Sequence, residues 1–554
     1  MTNFIKRQIT VFVLQVLTVI VFGCDAATLH GAEEFRDDTA VKGTESLSEQ
    51  GSESKLSRGL IINWDCSEWF VRRSPEEMTI AGLQTLVDQY VGTQVSTIFF
   101  NPTSQRTAYD SQVRESFWDN NEKVDHSLIK NTRLLYQKGI DPYQVWIARC
   151  REKQISPWIS MRMNDLHNTD DPNSFTHGRF WREHPEYRRV PGSKRGYSDQ
   201  ALDYSIKEVR DHNMALIREL LDRYDPDGIE LDFMRSSYHF KPGHEKQGAK
   251  IILEFIRQVR QLTNEWTLHR GHSIKLAVRV PAVPEYARGM GLDGIAWARA
   301  GLVDMLVPTP FWETADFDIP IERWRELLGV DADKVILAAG MEGNIRGCRM
   351  PSELIVNNCE TMRGFTAATL DRGADQIYLF NHFTTPSKQG RGRIFYEAGQ
   401  LKTVVDQPRR HIVTFHDIVP PGVVKATALP FLINSPSNPA QFRIHTGPTL
   451  SRGHVTIRVG LAQKPDVNKV KLAARMNSVE CTPLADNVDL DRFPVSNPKR
   501  VQYAATAATA VKRVLQFDAP ASALQRGYNL VEVFLTQETQ QKIVWVEIYI
   551  VPDA

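Results

Sequence analysis

The 554-residue sequence predicts an α/β architecture, a (β/α)8 barrel of the TIM type followed by a C-terminal antiparallel β-sandwich. Three observations carry the expectation. First, eight short, nearly continuous apolar runs alternate with amphipathic helical stretches from Gly59 onward. Strands buried on both faces read this way, and helices of that length serve as crossovers between parallel strands. Second, no Gly-rich phosphate turn follows the first run, as a doubly wound open sheet would lead one to expect; "NWDCSEWF" stands there instead. Third, the helical pattern stops after about Pro408, and short β-branched, partly alternating segments take over.

In chain order, the first residues read as an export signal, 1–27. Lys6 and Arg7 precede an apolar core, "ITVFVLQVLTVIVFG", from Ile9 to Gly23. These fifteen residues are short for a bilayer-spanning helix, which favours a processed signal. "VFGC" resembles a lipobox that would lipidate Cys24; Phe22 is bulky for that motif, and ordinary cleavage near Ala26 or Ala27 is the alternative. The chain is thus expected to be exported, as a periplasmic, outer-membrane or cell-surface lipoprotein, or secreted. Residues 28–58, rich in Ser, Glu, Gly and Asp, are expected to form a disordered linker.

The barrel is expected over 59–405, from the runs "LIINWD" (60–65), "VSTIFFN" (95–101), "ISPWISMRM" (155–163), "GIELDF" (228–233), "IKLAVRV" (274–280), "VDMLVPTPFW" (303–312), "KVILAAG" (334–340) and "DQIYLFN" (375–381). Helical candidates between them include "NTRLLYQKGIDPYQVWIARCREK", "DYSIKEVRDHNMALIRELLDRY" and "PSELIVNNCETMRGFTAATLDRG". The sandwich is expected over 406–554, where such a module either packs on a catalytic barrel or binds sugar.

Net charge is +1, which gives no support to nucleic-acid binding. The six cysteines show no CxxC pairing and no His at zinc spacing, which argues against structural zinc; no metal and no cofactor are expected. Cys348 and Cys359 are a candidate disulfide.

In a barrel of this type, function belongs at the C-terminal ends of the strands. Those ends deliver Trp64 and Asp65; Asn101; Arg162, Asn164, Asp165 and His167; Asp232, Arg235 and His239; Arg279; Trp312 and Glu313; Glu342; and Asn381 and His382. Tryptophans together with carboxylates suit sugar rings, whose C–H faces stack on aromatics and whose hydroxyls donate to carboxylates. A carbohydrate partner is therefore expected.

Strand alternation sorts "GIELDF": Glu230 and Asp232 share one face, with Ile229, Leu231 and Phe233 on the other. If the carboxylates point inward, Asp232 lies nearer the open end and is the chemical candidate. Glu230 lies deeper, as a buried support expected to pair with Arg279 or Arg162. Glycoside hydrolysis needs two carboxyls flanking the bond, so Asp232 should face a second one within about 5–10 Å. Glu342 and Glu313 are the candidates. Glu342 is preferred because "GMEGN" sets a glycine near it on each side.

"DPDGIELDFMR", "MRMNDLH", "REHPEYR", "LDGIAWARAGLVDMLVPTPFW" and "IYLFNHF" together resemble the glycosyl-hydrolase-like family 10 type of bacterial barrel proteins, over roughly 59–403. The resemblance implies a barrel fold and hydrolysis of a glycoside or polysaccharide, without naming the sugar. The strand-four motif of chitinases, D-G-x-D-x-D-x-E, is matched at Asp227, Gly228 and Asp232. Glu230 replaces an aspartate and Met234 stands where the proton-donating glutamate would be, so the chitinase mechanism is not implied. An aspartate nucleophile on strand four, as in the α-amylase and α-galactosidase clans, is compatible with Asp232.

The loop 171–195 carries Arg179, Arg182, Arg188, Arg189, Lys194 and Arg195 among aromatics, either as a subsite for an acidic sugar or as a solvated loop. Two rival readings stand beside the hydrolase. One is a carbohydrate-binding pseudoenzyme. The other is a metal-dependent hydrolase using Asp65, His167, Asp232 and His382, for which no HxH or HExxH pattern is present.

Overall fold

The computed structural model describes residues 59–121, 123–193, 197–352, 354–462, 467–485 and 509–553. The expected signal, Cys24, the linker, Lys194 and Arg195 lie outside the described residues.

Eight parallel strands close a barrel. They are β1 (Leu60–Trp64), β2 (Val95–Phe100), β3 (Ser156–Arg162), β4 (Gly228–Asp232), β5 (Lys275–Pro281), β6 (Met305–Thr309), β7 (Ile336–Met341) and β8 (Gln376–Phe380). Each pairs with its sequence neighbour, and β1 closes on β8. The fold class is the one the sequence predicts.

The crossover helices are α1 (Ile80–Asp88), α2 (Ser127–Gln137), α3 (Pro142–Glu152), α4 (Lys207–Arg223), α5 (Glu245–Arg270), α6 (Gly294–Arg299), α7 (Ile321–Leu328) and α8 (Cys359–Asp371). Two of them differ from the sequence expectation. The stretch 131–153 divides into α2 and α3 because Gly139 takes φ +67° and Asp141 caps the new helix from its side chain, with Pro142 at its first turn. The stretch from Pro351 becomes helical only at Cys359, where Asn358 and Thr361 form a capping box. Before it, Ile355–Val356 pairs antiparallel with Asn344–Ile345.

Alternation divides each barrel strand between two cores. Ile61, Phe99, Trp158, Ala277, Met305, Val307, Ala338, Tyr378 and Phe380 fill the interior. Leu60, Ile62, Ile98, Ile159, Leu231 and Val278 face the helices. Gly228 opens β4 because a Cβ there would stand 2.4 Å from the Trp158 ring.

The C-terminal strands are β9 (Arg409–Ile412), β10 (Phe431–Ile433), β11 (Ala440–His445), β12 (Gly453–Ala462), β13 (Leu472–Met476), β14 (Val479–Pro483), β15 (Val511–Ala519), β16 (Tyr528–Leu535) and β17 (Gln541–Pro552). All pair antiparallel along the path β9-β17-β12-β15-β14-β13-β16-β11, with β10 on β17. Strand β14 pairs with β13 on one side and β15 on the other, so the path turns over into two layers. Their inward residues, including Val455, Ile457, Val531, Val533, Ile548 and Ile550, form a second core.

The sandwich docks on α8. Gly364 makes the approach feasible: a Cβ there would stand 1.9 Å from the Arg410 carbonyl oxygen. Beneath it, Arg410 pairs with Glu547 at 2.6 Å, both almost wholly buried, and Arg458 and the Trp545 indole also bond Glu547. Tyr549 donates to Glu360 at 3.0 Å and Tyr528 to Asp318 at 2.7 Å. The candidate disulfide between Cys348 and Cys359 is not formed, and no disulfide joins the described cysteines.

Candidate active site

The polar core of the barrel lies in two levels, and strand register sets which side chains share each. Ser160, Glu230 and Ala277 are neighbours across β3, β4 and β5; one step higher are Arg162, Asp232 and Arg279.

At the lower level one oxygen of Glu230 accepts from Ser160 Oγ at 2.5 Å, Tyr378 Oη at 2.9 Å and Asn63 Nδ2 at 3.3 Å. The expected pairing with Arg279 or Arg162 is not made, because both arginines belong to the level above. Burial, and then the nearby Asp232 charge, push the Glu230 carboxyl up to about 8.

At the upper level Arg279, fully buried, joins two carboxyls. Its Nη1 is 3.3 Å from both oxygens of Asp232, and its Nη2 donates to Glu342 Oε1 at 3.0 Å. Its guanidinium lies 3.7 Å from the Phe380 ring centroid. Asp232 also accepts the Met234 amide at 2.8 Å. With one guanidinium between them, the nearest carboxyl oxygens of Asp232 and Glu342 stand no more than about 9 Å apart. Asp232 is 1% exposed and Glu342 8%, so Glu342 is the more open of the two. Burial pushes Glu342 up to about 8 although Arg279 and Arg235 oppose the shift. Gly340 does not face a ligand: its Cβ position is 2.4 Å from Thr309 Oγ1, and the glycine lets β7 pack on β6. Beside Gly343 the space is open.

A second charged group surrounds Arg162, which bonds Asp65 and also Asp165 at 2.9 Å. Asp165 accepts from His167 Nδ1 at 2.5 Å, and His167 Nε2 meets Arg235 Nη2 at 2.8 Å. Burial acts to raise Asp65, but Arg162 and Ser67 outweigh it and hold the carboxyl below the usual range. His167 is half exposed at the rim of the mouth.

Several expected binding residues serve the scaffold instead. Trp64 alternates outward with Leu60 and Ile62, and its indole donates to Tyr90 at 3.0 Å beneath α1. Asn101 ties β2 to β3 through the Ser160 carbonyl at 2.9 Å. Asn164 holds Leu202 through both amide atoms and meets His239 at 3.1 Å. His239 is wholly buried, and burial lowers it to about 3. His382 packs against Phe395, with burial lowering it to about 3 as well. Asn381 sits at φ +49° just after β8. Of Asp65, His167, Asp232 and His382, the set for a metal-dependent reading, the first two share the Arg162 group, while Asp232 is held by Arg279 and His382 packs against Phe395. Among the described residues no three His, Cys, Asp or Glu side chains form a metal-binding group.

The loop from residue 171 spends much of its charge internally. Arg189 is buried and donates to the carbonyls of Phe240 and Ser198. Arg188 stacks on Trp181 at 3.9 Å and bonds Gln200. Arg179 pairs with Glu115.

The remaining side of the mouth is built by residues from outside the barrel. Between Ile412 and Phe431 the chain has no helix or strand. There Asp417 accepts the backbone amides of Phe311, Trp312 and Glu313 at 2.9–3.1 Å. Lys425 reaches Glu313 at 3.4 Å. Trp312 and Glu313 are half-buried in this loop, and Glu313 is thereby engaged with Lys425 rather than Arg279. Sequence reasoning missed Asn63, Tyr378 and Phe380, which alternation marks as inward-facing, and also Asp417 and Lys425, for which no local pattern exists.

No protein-family model matches the chain, and no curated protein does either. Among solved structures the chain is similar to α-L-fucosidase isoenzyme 1 from Paenibacillus thiaminolyticus, with 12% identity and a TM-score of 0.32, over 86% of this chain and 96% of that one. A putative α-L-fucosidase from Bacteroides thetaiotaomicron matches with 10% identity and a TM-score of 0.31, over 90% of this chain and 96% of the other. The α-galactosidase of Thermus thermophilus matches with 13% identity and a TM-score of 0.34, over 60% of this chain and 59% of that enzyme. These neighbours are glycosidases by name, and at such low similarity the likeness carries nothing about the reaction or the residues of this chain.

Proposed function

We propose that the protein is an exported glycoside hydrolase acting on an oligo- or polysaccharide, with Glu342 as general acid and Asp232 as nucleophile or general base. One observation carries the reading: two carboxyls from different strands meet on one buried guanidinium at the C-terminal end of the barrel. A shared guanidinium keeps them close enough for the separation of about 5–9.5 Å that glycosidic hydrolysis uses. Glu342, held near pKa 8 by burial, keeps its proton at neutral pH and can deliver it to a leaving oxygen. Arg279 donates to both carboxyls and sets their spacing. His167, Arg235 and Trp312 would contact the sugar, and Glu313 would line the same mouth. Membership of the glycosyl-hydrolase-like family 10 grouping belongs to this proposal, supported by the strand-end motifs. So does export, supported by Lys6, Arg7 and the apolar run 9–23.

The deep burial of Asp232, with both oxygens against Arg279, favours a second reading: a carbohydrate-binding protein without turnover. A panel of neutral and sulfated polysaccharides, assayed for reducing ends and for binding, separates the two. Under the hydrolase reading Glu342→Gln and Asp232→Asn each lower turnover by about 10²-fold or more and retain binding. Binding by the wild type without any reducing-end release would sink the hydrolase and leave the lectin-like role.

A further inference from the structure

We propose that Asp417, carried by the segment between the sandwich strands β9 and β10, is a positioning residue of the barrel site: its carboxylate clamps the loop after β6, which bears Trp312 and Glu313, beside the Asp232–Arg279–Glu342 group. The kinetic part of this inference rests on the hydrolase reading; the clamp itself does not.

Three successive amides, those of Phe311, Trp312 and Glu313, converge on one carboxylate at 2.9–3.1 Å. Consecutive N–H groups turned to one point form an anion-binding concavity. Here it lies at the C-terminal end of a barrel strand, where ligands of such folds are held. A carboxylate from outside the barrel fills it. Asp417 is 3% exposed, and burial pushes its carboxyl up to about 6 although the Phe311 and Glu313 amides and the Lys425 ammonium oppose the shift.

The segment that carries Asp417 is secured on both sides. Tyr238, in the loop after β4, donates to the Val419 carbonyl at 3.2 Å. His416 bonds the fully buried Asp316 at 2.6 Å. Lys425 holds Glu313 by its side chain while Asp417 holds it by its amide. The clamped loop begins two residues after Thr309, the last residue of β6, which lies 3.4 Å from Arg279.

The same carboxylate bears on proton transfer. Arg279 and Arg235 face Glu342 and favour its ionised form, whereas Asp417 opposes ionisation. Asp417 is itself faced by Lys425, Glu313, Tyr238 and His416. Removing its charge would therefore lower the pH at which Glu342 loses its proton.

Amide hydrogen exchange in the folded chain reads the clamp, and the pH dependence of hydrolysis reads the charge. In Asp417→Ala, exchange at 311–313 should accelerate about tenfold or more, with protection elsewhere in the barrel retained. Asp417→Asn keeps an acceptor oxygen, so exchange there should stay near that of the wild type, while the alkaline limb of kcat moves to lower pH. Asp417→Ser should exchange at an intermediate rate, and it serves in place of the alanine variant if that fails to fold. Exchange at 311–313 unchanged in the alanine or serine variant overturns the clamp. An alkaline limb unmoved in Asp417→Asn overturns the charge effect. A wild type that hydrolyses nothing defeats the hydrolase reading alone, because the exchange measurement still decides the clamp.

Discussion

Glu342 and Glu230 are both carboxyls with folded values near 8 against an unfolded value of 4.5, and this makes them visible to pH. A raised acid binds more protons in the native state than in the unfolded one. Its stabilising contribution is full below about pH 4.5 and is lost as pH rises through about 8. The denaturant midpoint should therefore fall from pH 5 to pH 9, and Glu230→Gln should flatten that slope. Glu230→Ala is a different change: Ser160, Tyr378 and Asn63 lose their common acceptor and a cavity opens. It should cost about 3 kcal/mol or more in equilibrium unfolding at pH 6. In catalysis the acid role predicts a loss of about 10²–10⁴-fold in kcat for Glu342→Gln. Wild-type kcat should decline above about pH 8, the range in which Glu342 gives up its proton.

Helices and strands are positioned by a few close approaches, and these make element-scale tests. Gly364 on α8 lies against the backbone of Arg410 on β9, with no room for a methyl group. Gly364→Ala should push the sandwich off α8 and destabilise the chain by about 2–3 kcal/mol, read as a shift in the urea midpoint at constant m-value. Gly340→Ala, 2.4 Å from Thr309, should spread β6 from β7 and displace Glu342 from Arg279. Its expected signature is a fall in kcat larger than its effect on Tm. The division of 131–153 into α2 and α3 was signalled in the sequence by Gly139, Asp141 and Pro142, which the continuous helical reading passed over.

At the scale of the molecule, barrel and sandwich share buried charge. Arg410, Glu547 and the Trp545 indole are buried where the two meet, and Asp417 reaches from the segment between β9 and β10 to the mouth. A chain ending at residue 405 would expose the docking face of α8 and release the loop 311–313. It should be recovered mainly as aggregate, and any soluble fraction should lack turnover on a substrate the full chain cleaves.

The sequence by itself determined the barrel, the antiparallel second domain and the inward face of β4, because hydrophobic periodicity is a local property that survives without neighbours. Alternation placed Glu230 one layer beneath Asp232, and strand-end polarity brought Arg279 and Glu342 into consideration. The tertiary structure alone decided the partners. Glu230 meets hydroxyls and Asn63 rather than arginine because parallel register sets Ser160 beside it and puts Arg162 and Arg279 one step higher. Trp64 turned to the scaffold because a strand end exposes only alternate residues to the mouth, whereas Asn164 and His239, beyond the ends of β3 and β4, are held by Leu202, by each other and by the Phe233 carbonyl. Asp417 and Lys425 lie more than a hundred residues from the loop they hold, and no local pattern records such a contact. Register and contacts between domains are long-range consequences of packing, and the chain expresses them only when it is folded.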